Sequence, residues 1–363
     1  MRLALDEQIF AVQRYGGISR LFYEKARAFS MNGELGVDIE TLDAPIVNEY
    51  VLRDADLATR LQVRPATGPY AALAHYFARL RRQSPVDVVH NTFYLPRGLS
   101  EHRGAKRVVT IYDMIPELMP RTRRRLDFLT RKHAYIQQAD HIVCISNSAR
   151  DDLLSIYPDV DVPVTIAYPG VSHAFHPDVP NIPELPTPYI LHVGNRSHYK
   201  DGMTLLRAFV TIAGDFPSLK LVFVGGGALS QEERGLIAQA KLPSKSVSQH
   251  SLPDSQVPSA YAHALVTVFP SRYEGFGLPA VEAMAAGSPL ILANTSSLPE
   301  VGGDAAAYFA PGDHETLGEL IVELLNDEQR RLSMTMLGIE QAKKFTWTGY
   351  AQSNVEAYMK VLG

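Results

Sequence analysis

Pro270-Ser271-Arg272-Tyr273-Glu274-Gly275-Phe276-Gly277-Leu278-Pro279-Ala280-Val281-Glu282 sets two carboxylates eight positions apart around a Gly-Phe-Gly turn. The residues before it, Ala264-Leu265-Val266-Thr267-Val268-Phe269, are apolar or β-branched and uncharged, the make-up of a buried strand. After it, Pro279 suits a first helical turn, where its missing N–H would have no partner anyway. Ala280 to Ala286 propagates the helix and Gly287 stops it. A strand, a glycine turn and a helix N-terminus together favour an anion, because unpaired N–H groups and the helix dipole point at it. Carboxylates repel a phosphate, so Glu274 and Glu282 reach past it to hydroxyl groups, which they accept as charge-assisted hydrogen bonds. The implied ligand carries a phosphate and many hydroxyls, as a nucleotide-sugar does.

Outward from this stretch, short apolar runs alternate with helical stretches, which predicts an α/β protein with parallel sheets. In the first half the expected strands are Val86 to His90, Arg107 to Tyr112, His141 to Ile145 and Val164 to Ala167. Prolines 177, 180, 183, 186 and 188 then mark a connector, since proline stiffens a linker and is kept out of sheet interiors. Strands resume at Tyr189 to Gly194, Leu219 to Gly225, Leu265 to Phe269 and Leu290 to Ala293. Two Rossmann-like halves result, and ligands of such sheets sit at the carboxyl ends of the strands. The amphipathic tail from Phe345 closes the chain.

The totals exclude several classes. A chain of 363 residues exceeds one ordinary core and predicts two domains. A hydrophobic fraction of 46% with 20% charged residues is that of a globular protein, and a net charge of −4 gives no reason to expect nucleic acid. The start, Met1-Arg2-Leu3-Ala4-Leu5-Asp6-Glu7, meets acidic residues too soon for a signal peptide, and no run has the length of a membrane span. The single Cys144 precludes an intrachain disulfide, and a cytoplasmic setting is expected. Val224-Gly225-Gly226-Gly227 invites a dinucleotide reading, but the fingerprint would need glycine where Ser230 stands, so NAD is rejected.

Other stretches carry candidate chemistry. Gly16 and Gly17 precede an apolar helix, where glycine lets the backbone approach a ligand. Arg121, Arg123, Arg124, Arg125, Arg131 and Lys132 interleave with Leu126, Phe128 and Leu129. That pattern fits either a solvated helix face or a contact with an anionic membrane surface.

The Glu-x7-Glu pair in its Pro-Ser-x-x-Glu-Gly-Phe-Gly-Leu setting resembles the retaining glycosyltransferases of family 4, and the resemblance extends over nearly the whole chain. It implies the GT-B fold, two Rossmann-like domains with parallel sheets facing a central cleft. Residues 1–176 would form the acceptor domain, 177–188 the linker and 189–345 the nucleotide-sugar domain, with 346–363 packing back on the first. By the same resemblance Glu282 holds the ribose and Glu274 the donor sugar, while Gly275, Phe276, Gly277 and Leu278 present backbone groups. Lys200 and Arg196 would neutralise the diphosphate, although Arg196 stands one position late and Asn195 occupies the usual arginine slot. Gly16 and Gly17 would line the donor diphosphate and acceptor. Tyr112, before Asp113, stands where many relatives have histidine, and its ordinary pKa of ~10 makes it a poor base.

Asp54-Ala55-Asp56 and Asp159-Val160-Asp161 have the Asp-x-Asp form of metal-dependent transferases of another fold, but lie away from the phosphate loops, so no metal or other cofactor is expected. Tyr15-Gly16-Gly17-Ile18-Ser19-Arg20 and Pro299-Glu300-Val301 most resemble bacterial mannosyltransferases of surface-polysaccharide assembly. The expected donor is GDP-mannose, then UDP-glucose or another UDP-sugar. The acceptor would be a glycan or a lipid-linked sugar, which would bring the chain to the inner face of the cell membrane. A silent nucleotide-sugar binder and a sugar-nucleotide epimerase are the rival readings on this fold.

Overall fold

The computed structural model describes residues 1–66, 85–96, 98–119, 123–182 and 184–363, except the side chains of residues 123–126. These form two compact units, one of residues 1–170 with 347–363 and one of residues 171–346. Each carries a six-stranded sheet whose paired strands all run parallel.

The first unit contains β1 (Arg2–Leu5), β2 (Asp38–Ile39), β3 (Pro45–Ile46), β4 (Arg64–Pro65), β5 (Val88–Asn91), β6 (Lys106–Ile111), β7 (His141–Cys144) and β8 (Val164–Ile166). Its main sheet has the order β2-β1-β5-β6-β7-β8, with β3 and β4 paired separately. The second unit contains β9 (Tyr189–Val193), β10 (Lys220–Val224), β11 (Val247–His250), β12 (Val266–Phe269), β13 (Leu290–Ala293) and β14 (Ala306–Phe309), in the order β11-β10-β9-β12-β13-β14. The middle strands are continuous apolar runs because both their faces are covered: every residue of β12 and β13 is buried. Each expected strand is found within two residues. The unexpected ones, β1, β2, β3, β4, β11 and β14, are terminal, short, or polar and alanine-rich. Val-Ser-Gln-His reads as a strand only once it lies at a sheet edge.

The boundary between units falls at 170/171, earlier than the proline-rich stretch, because that stretch docks on the second unit. Ser259 Oγ donates to the Pro180 carbonyl at 2.6 Å and the His263 ring to Val179 at 2.9 Å, while Ile182 and Leu185 are buried. The final helix, Trp347–Leu362, buries Tyr350, Asn354, Ala357 and Tyr358 on one face and packs on the helix Gly17–Met31 and on β6, β7 and β8.

Beneath that helix sits a polar cluster. Tyr358 Oη lies 2.7 Å from His90 Nδ1, and His90 Nε2 lies 2.7 Å from Thr110 Oγ1. Lys25 Nζ is 3.3 Å from His90 Nδ1 and fully buried over the Phe22 ring. Burial holds the Lys25 pKa well below its ordinary value. Between that lowered value and ~10.4 the unfolded chain binds a proton that the folded chain does not, so stability here rises with pH. Lys25→Met is therefore expected to raise Tm at pH 7 by several degrees and to flatten its rise toward pH 9. Thermal denaturation across that range checks it.

Candidate active site

In the second unit the crossover direction reverses between β9 and β12, whose carboxyl ends flank the crevice where open α/β sheets bind ligands. The loop after β9 supplies Lys200 and the loop after β12 supplies Glu274. The two meet there: Lys200 Nζ lies 2.7 and 2.9 Å from the Glu274 carboxylate oxygens. Both side chains are mostly buried, at 22% and 12% exposed. A parallel contact reinforces the junction, as Arg272 Nε donates to Asp201 at 2.7 Å and the Arg272 amide donates to the Tyr199 carbonyl.

Serines fix the backbone of Glu274. Its N–H donates to Ser296 Oγ at 2.8 Å, and its carbonyl accepts from Ser297 Oγ at 2.9 Å. Gly277 adopts φ 96°, which a side chain would strain, and opens the helix Leu278–Ala285 with Pro279 in its first turn. That helix ends as its glycine dictates: the Ser288 N–H reaches the Ala283 carbonyl and the Gly287 N–H that of Met284. Glu282 lies one turn into the helix and is 7% exposed. The Phe276 ring is buried edge-on against Phe345, so the residue offers a ligand its backbone alone.

Arg196 departs from its expected role as a diphosphate cation. Its Nε donates to Glu233 Oε1 at 2.7 Å, and its other nitrogens reach the carbonyls of Gly225, Gly227 and Ala228 at 2.9 to 3.0 Å. Glu233 is buried too, and burial alone would raise its pKa. The hydrogen bonds from Arg196 and Ser230 outweigh that and hold it below the usual carboxylate value. Gly225, Gly226 and Gly227 all have positive φ, so three carbonyls can turn inward, and a Cβ on Gly226 would sit 2.8 Å from the guanidinium. The arginine thus shapes the loop after β10. It borders a cavity of about 370 Å³ with Asn195, His198 and Ser230. The one-residue offset in the sequence is the signal of this change: Asn195 takes the arginine slot and turns its carboxamide onto Ser197.

Tyr112 is likewise engaged within the fold. It is buried, and its hydroxyl donates to the Thr92 carbonyl at 2.8 Å. Burial raises its pKa well above the ordinary phenol value. Asp113 accepts from the Ile115 N–H at 3.0 Å and shapes the turn after β6. Lys132, expected on an exposed helix face, solvated or against a membrane, is instead buried: its ammonium lies 2.8 Å from Glu117 and donates to the Asp113 carbonyl. An apolar-flanked cation on a helix fits both places equally, and only its partner, Glu117, decides. Arg131 is half-buried, while Arg121 and the side chains of Arg123, Arg124 and Arg125 lie outside the described residues.

In the first unit the reversal falls between β1 and β5, and the glycine loop follows β1. Residues unforeseen from sequence hold this loop. Gln13 Oε1 accepts the Ser19 N–H at 2.9 Å, and the buried Asn48 donates to the Gln13 carbonyl at 2.9 Å while capping the helix Glu49–Arg53. A Cβ on Gly16 would strike the Gln13 side chain at 2.4 Å. The helix Gly17–Met31 begins directly at Gly17. Among the described residues, no group of three or more His, Cys, Asp or Glu could hold a metal ion. Among them no helix is long and apolar enough to cross a membrane.

Comparison with known proteins agrees with this fold. The family description Glycosyltransferase Family 4 matches residues 15–175, and Glycosyl transferases group 1 matches residues 178–344. O-antigen chain mannosyltransferase B of Escherichia coli is 28% identical over 282 residues, covering 73% of this chain and 72% of that protein. Sucrose-phosphate synthase from Thermosynechococcus elongatus superimposes with a TM-score of 0.76 at 19% identity, over 99% of this chain and 98% of that one. The Anabaena protein HepE, solved in complex with UDP and glucose, superimposes with a TM-score of 0.72 at 16% identity, over 98% of both chains. The two family matches adjoin, each covers one Rossmann-like unit, and the paired loops of the second unit sit at its reversal point; the chain is a GT-B glycosyltransferase and belongs to retaining glycosyltransferase family 4.

Proposed function

We propose that the chain transfers a hexose, with retention of configuration, from a nucleoside diphosphate-sugar to a hydroxyl of a glycan or lipid-linked acceptor in bacterial polysaccharide assembly. The carrying observation is the Lys200–Glu274 pair at the β9/β12 reversal, which puts a cation and a hydroxyl acceptor where such sheets bind nucleotides. Lys200 would stabilise the negative charge that grows on the diphosphate as the glycosidic bond breaks. Glu274 would hold hydroxyls of the donor sugar, and Gly275, Phe276, Gly277 and Leu278 would present backbone groups to it. Glu282 would hold the ribose, and Gly16 and Gly17 in the first unit would approach the diphosphate and acceptor. With Tyr112 and Asp113 engaged in structure, no side chain is assigned as a base. The leaving phosphate would take the acceptor proton on the same face of an oxocarbenium-like sugar.

The donor is GDP-mannose in this reading, in line with the E. coli mannosyltransferase, with UDP-glucose as second choice in line with the ligands of HepE. Metal is assigned no role, as Lys200 and the helix start at Leu278 already supply compensating charge. Glu282→Ala removes one charged hydrogen bond, worth about 1.5–3 kcal/mol, and should raise the donor Kd about 10- to 150-fold. Calorimetric titration with GDP-mannose, in parallel with a ribose-lacking mannose 1-phosphate, checks the assignment: only the nucleotide should weaken.

A further inference from the structure

Beside the glycine loop of the first unit, three tyrosines form a row. Tyr15 meets Tyr50 edge-on at 5.5 Å, and Tyr50 stacks on Tyr23 at 5.9 Å. Tyr23 is pinned from behind, its hydroxyl donating to Asp54 at 3.0 Å. Tyr15 itself is 41% exposed. Two guanidiniums flank its ring, with the carbons of Arg14 and Arg53 at 5.9 and 5.6 Å from the centroid. Both share a single carboxylate: Glu49 receives Arg14 on one oxygen at 3.1 Å and Arg53 on the other at 3.2 Å. Among the described residues one positive charge is left over, and both arginines are highly exposed, at 70% and 71%.

The backbone beneath is built to hold this arrangement. The Glu49 N–H donates to the Arg14 carbonyl, and Asn48 ties the same carbonyl stretch to the helix that carries Tyr50 and Arg53. An isolated surface aromatic would lack this second anchor. The ring of Tyr15 is therefore held in place one residue from Gly16, with the two guanidiniums over it and positive charge in excess of Glu49.

We infer that Tyr15, Arg14 and Arg53 form an acceptor subsite that takes a pyranose ring against the tyrosine and an anionic substituent, such as a phosphate, on the guanidiniums. An aromatic face suits the C–H-rich side of a sugar, and planar guanidinium donors suit a phosphate. The inference rests on the transferase reading and deepens it, since it names what the first unit recognises.

The test measures binding of methyl α-mannopyranoside and of mannose 6-phosphate by saturation-transfer NMR, with GDP present at saturation to occupy the donor site. The phosphate-bearing probe should bind more tightly to the unaltered protein. Tyr15→Ala should weaken both probes about 5- to 10-fold, and Tyr15→Phe, which keeps the ring, should restore them. Arg53→Ala should remove only the preference for phosphate. Unchanged binding in Tyr15→Ala, a preference that survives Arg53→Ala, or no binding of either probe to the unaltered protein would each overturn the subsite. A protein that transfers sugar yet binds neither probe loses the subsite and keeps the transferase reading. One that binds both and transfers nothing does the reverse.

Discussion

Glu274→Gln should lower sugar transfer about 100- to 1000-fold, the scale set by loss of one preorganised transition-state contact, while binding GDP no more weakly than the unaltered protein. The second half follows from the ion pair. The Lys200 ammonium is engaged with Glu274, at 2.7 and 2.9 Å. A diphosphate has to compete for that ammonium, and neutralising the carboxylate removes the competitor. Lys200→Met should behave oppositely. It loses the cation proposed to meet the diphosphate and should weaken GDP binding about 10- to 150-fold, the equivalent of a charged hydrogen bond. Both variants would lose activity, but for different reasons that equilibrium titration separates. If both weaken GDP equally, the pair is a structural strut rather than a contest between carboxylate and phosphate.

Arg196→Ala should destabilise the second unit by about 3–5 kcal/mol, because it leaves a buried carboxylate, Glu233, without its partner. Lysine should not restore it: one ammonium cannot reach the Glu233 carboxylate and the carbonyls of Gly225, Gly227 and Ala228 together. The double variant Arg196→Met/Glu233→Met should recover much of the loss, since neither charge is then stranded. The pH dependence has a definite sign. Glu233 is held below the usual carboxylate pKa, so its contribution is complete above the unfolded value of ~4.3. It is lost as pH falls through the lower folded value. Urea denaturation at pH 7 and pH 3 should show Arg196→Ala and the unaltered protein converging at the acidic end. An Arg196→Ala protein of normal stability but weak diphosphate binding would restore the ligand role that the sequence suggests.

Legibility from sequence followed physical locality. The stretch from Ala264 to Gly287 is decided by near neighbours: a β-branched run, a glycine forced to φ 96°, a proline in the first turn and a glycine stop. Each was readable because each acts within a few residues. The buried middle strands were readable for the same reason, while β11 and β14 derive their identity from the sheet edge they complete.

For Arg196 and Lys132 the sequence shows the cation but not its partner, which stands elsewhere in the chain. Glu233 stands 37 positions after Arg196, and Glu117 stands 15 before Lys132. The partner of Tyr112 is a backbone carbonyl, Thr92, which no side-chain pattern records. The supports of Glu274, Ser296 and Ser297, are likewise contacts across sequence. A capping box at Ser230 and Glu233 was available as a local signal and marks Glu233 as structural.

The most direct test of the account is turnover of purified protein with GDP-mannose, and separately UDP-glucose, and a mannosyl acceptor in excess chelator. The anomeric configuration of the product is read by NMR, alongside the Glu274→Gln protein. The account predicts a product that retains the donor's configuration, formed at a rate the chelator leaves unchanged and nearly abolished by the substitution. An inverted product, or turnover that Glu274→Gln leaves intact, would contradict it.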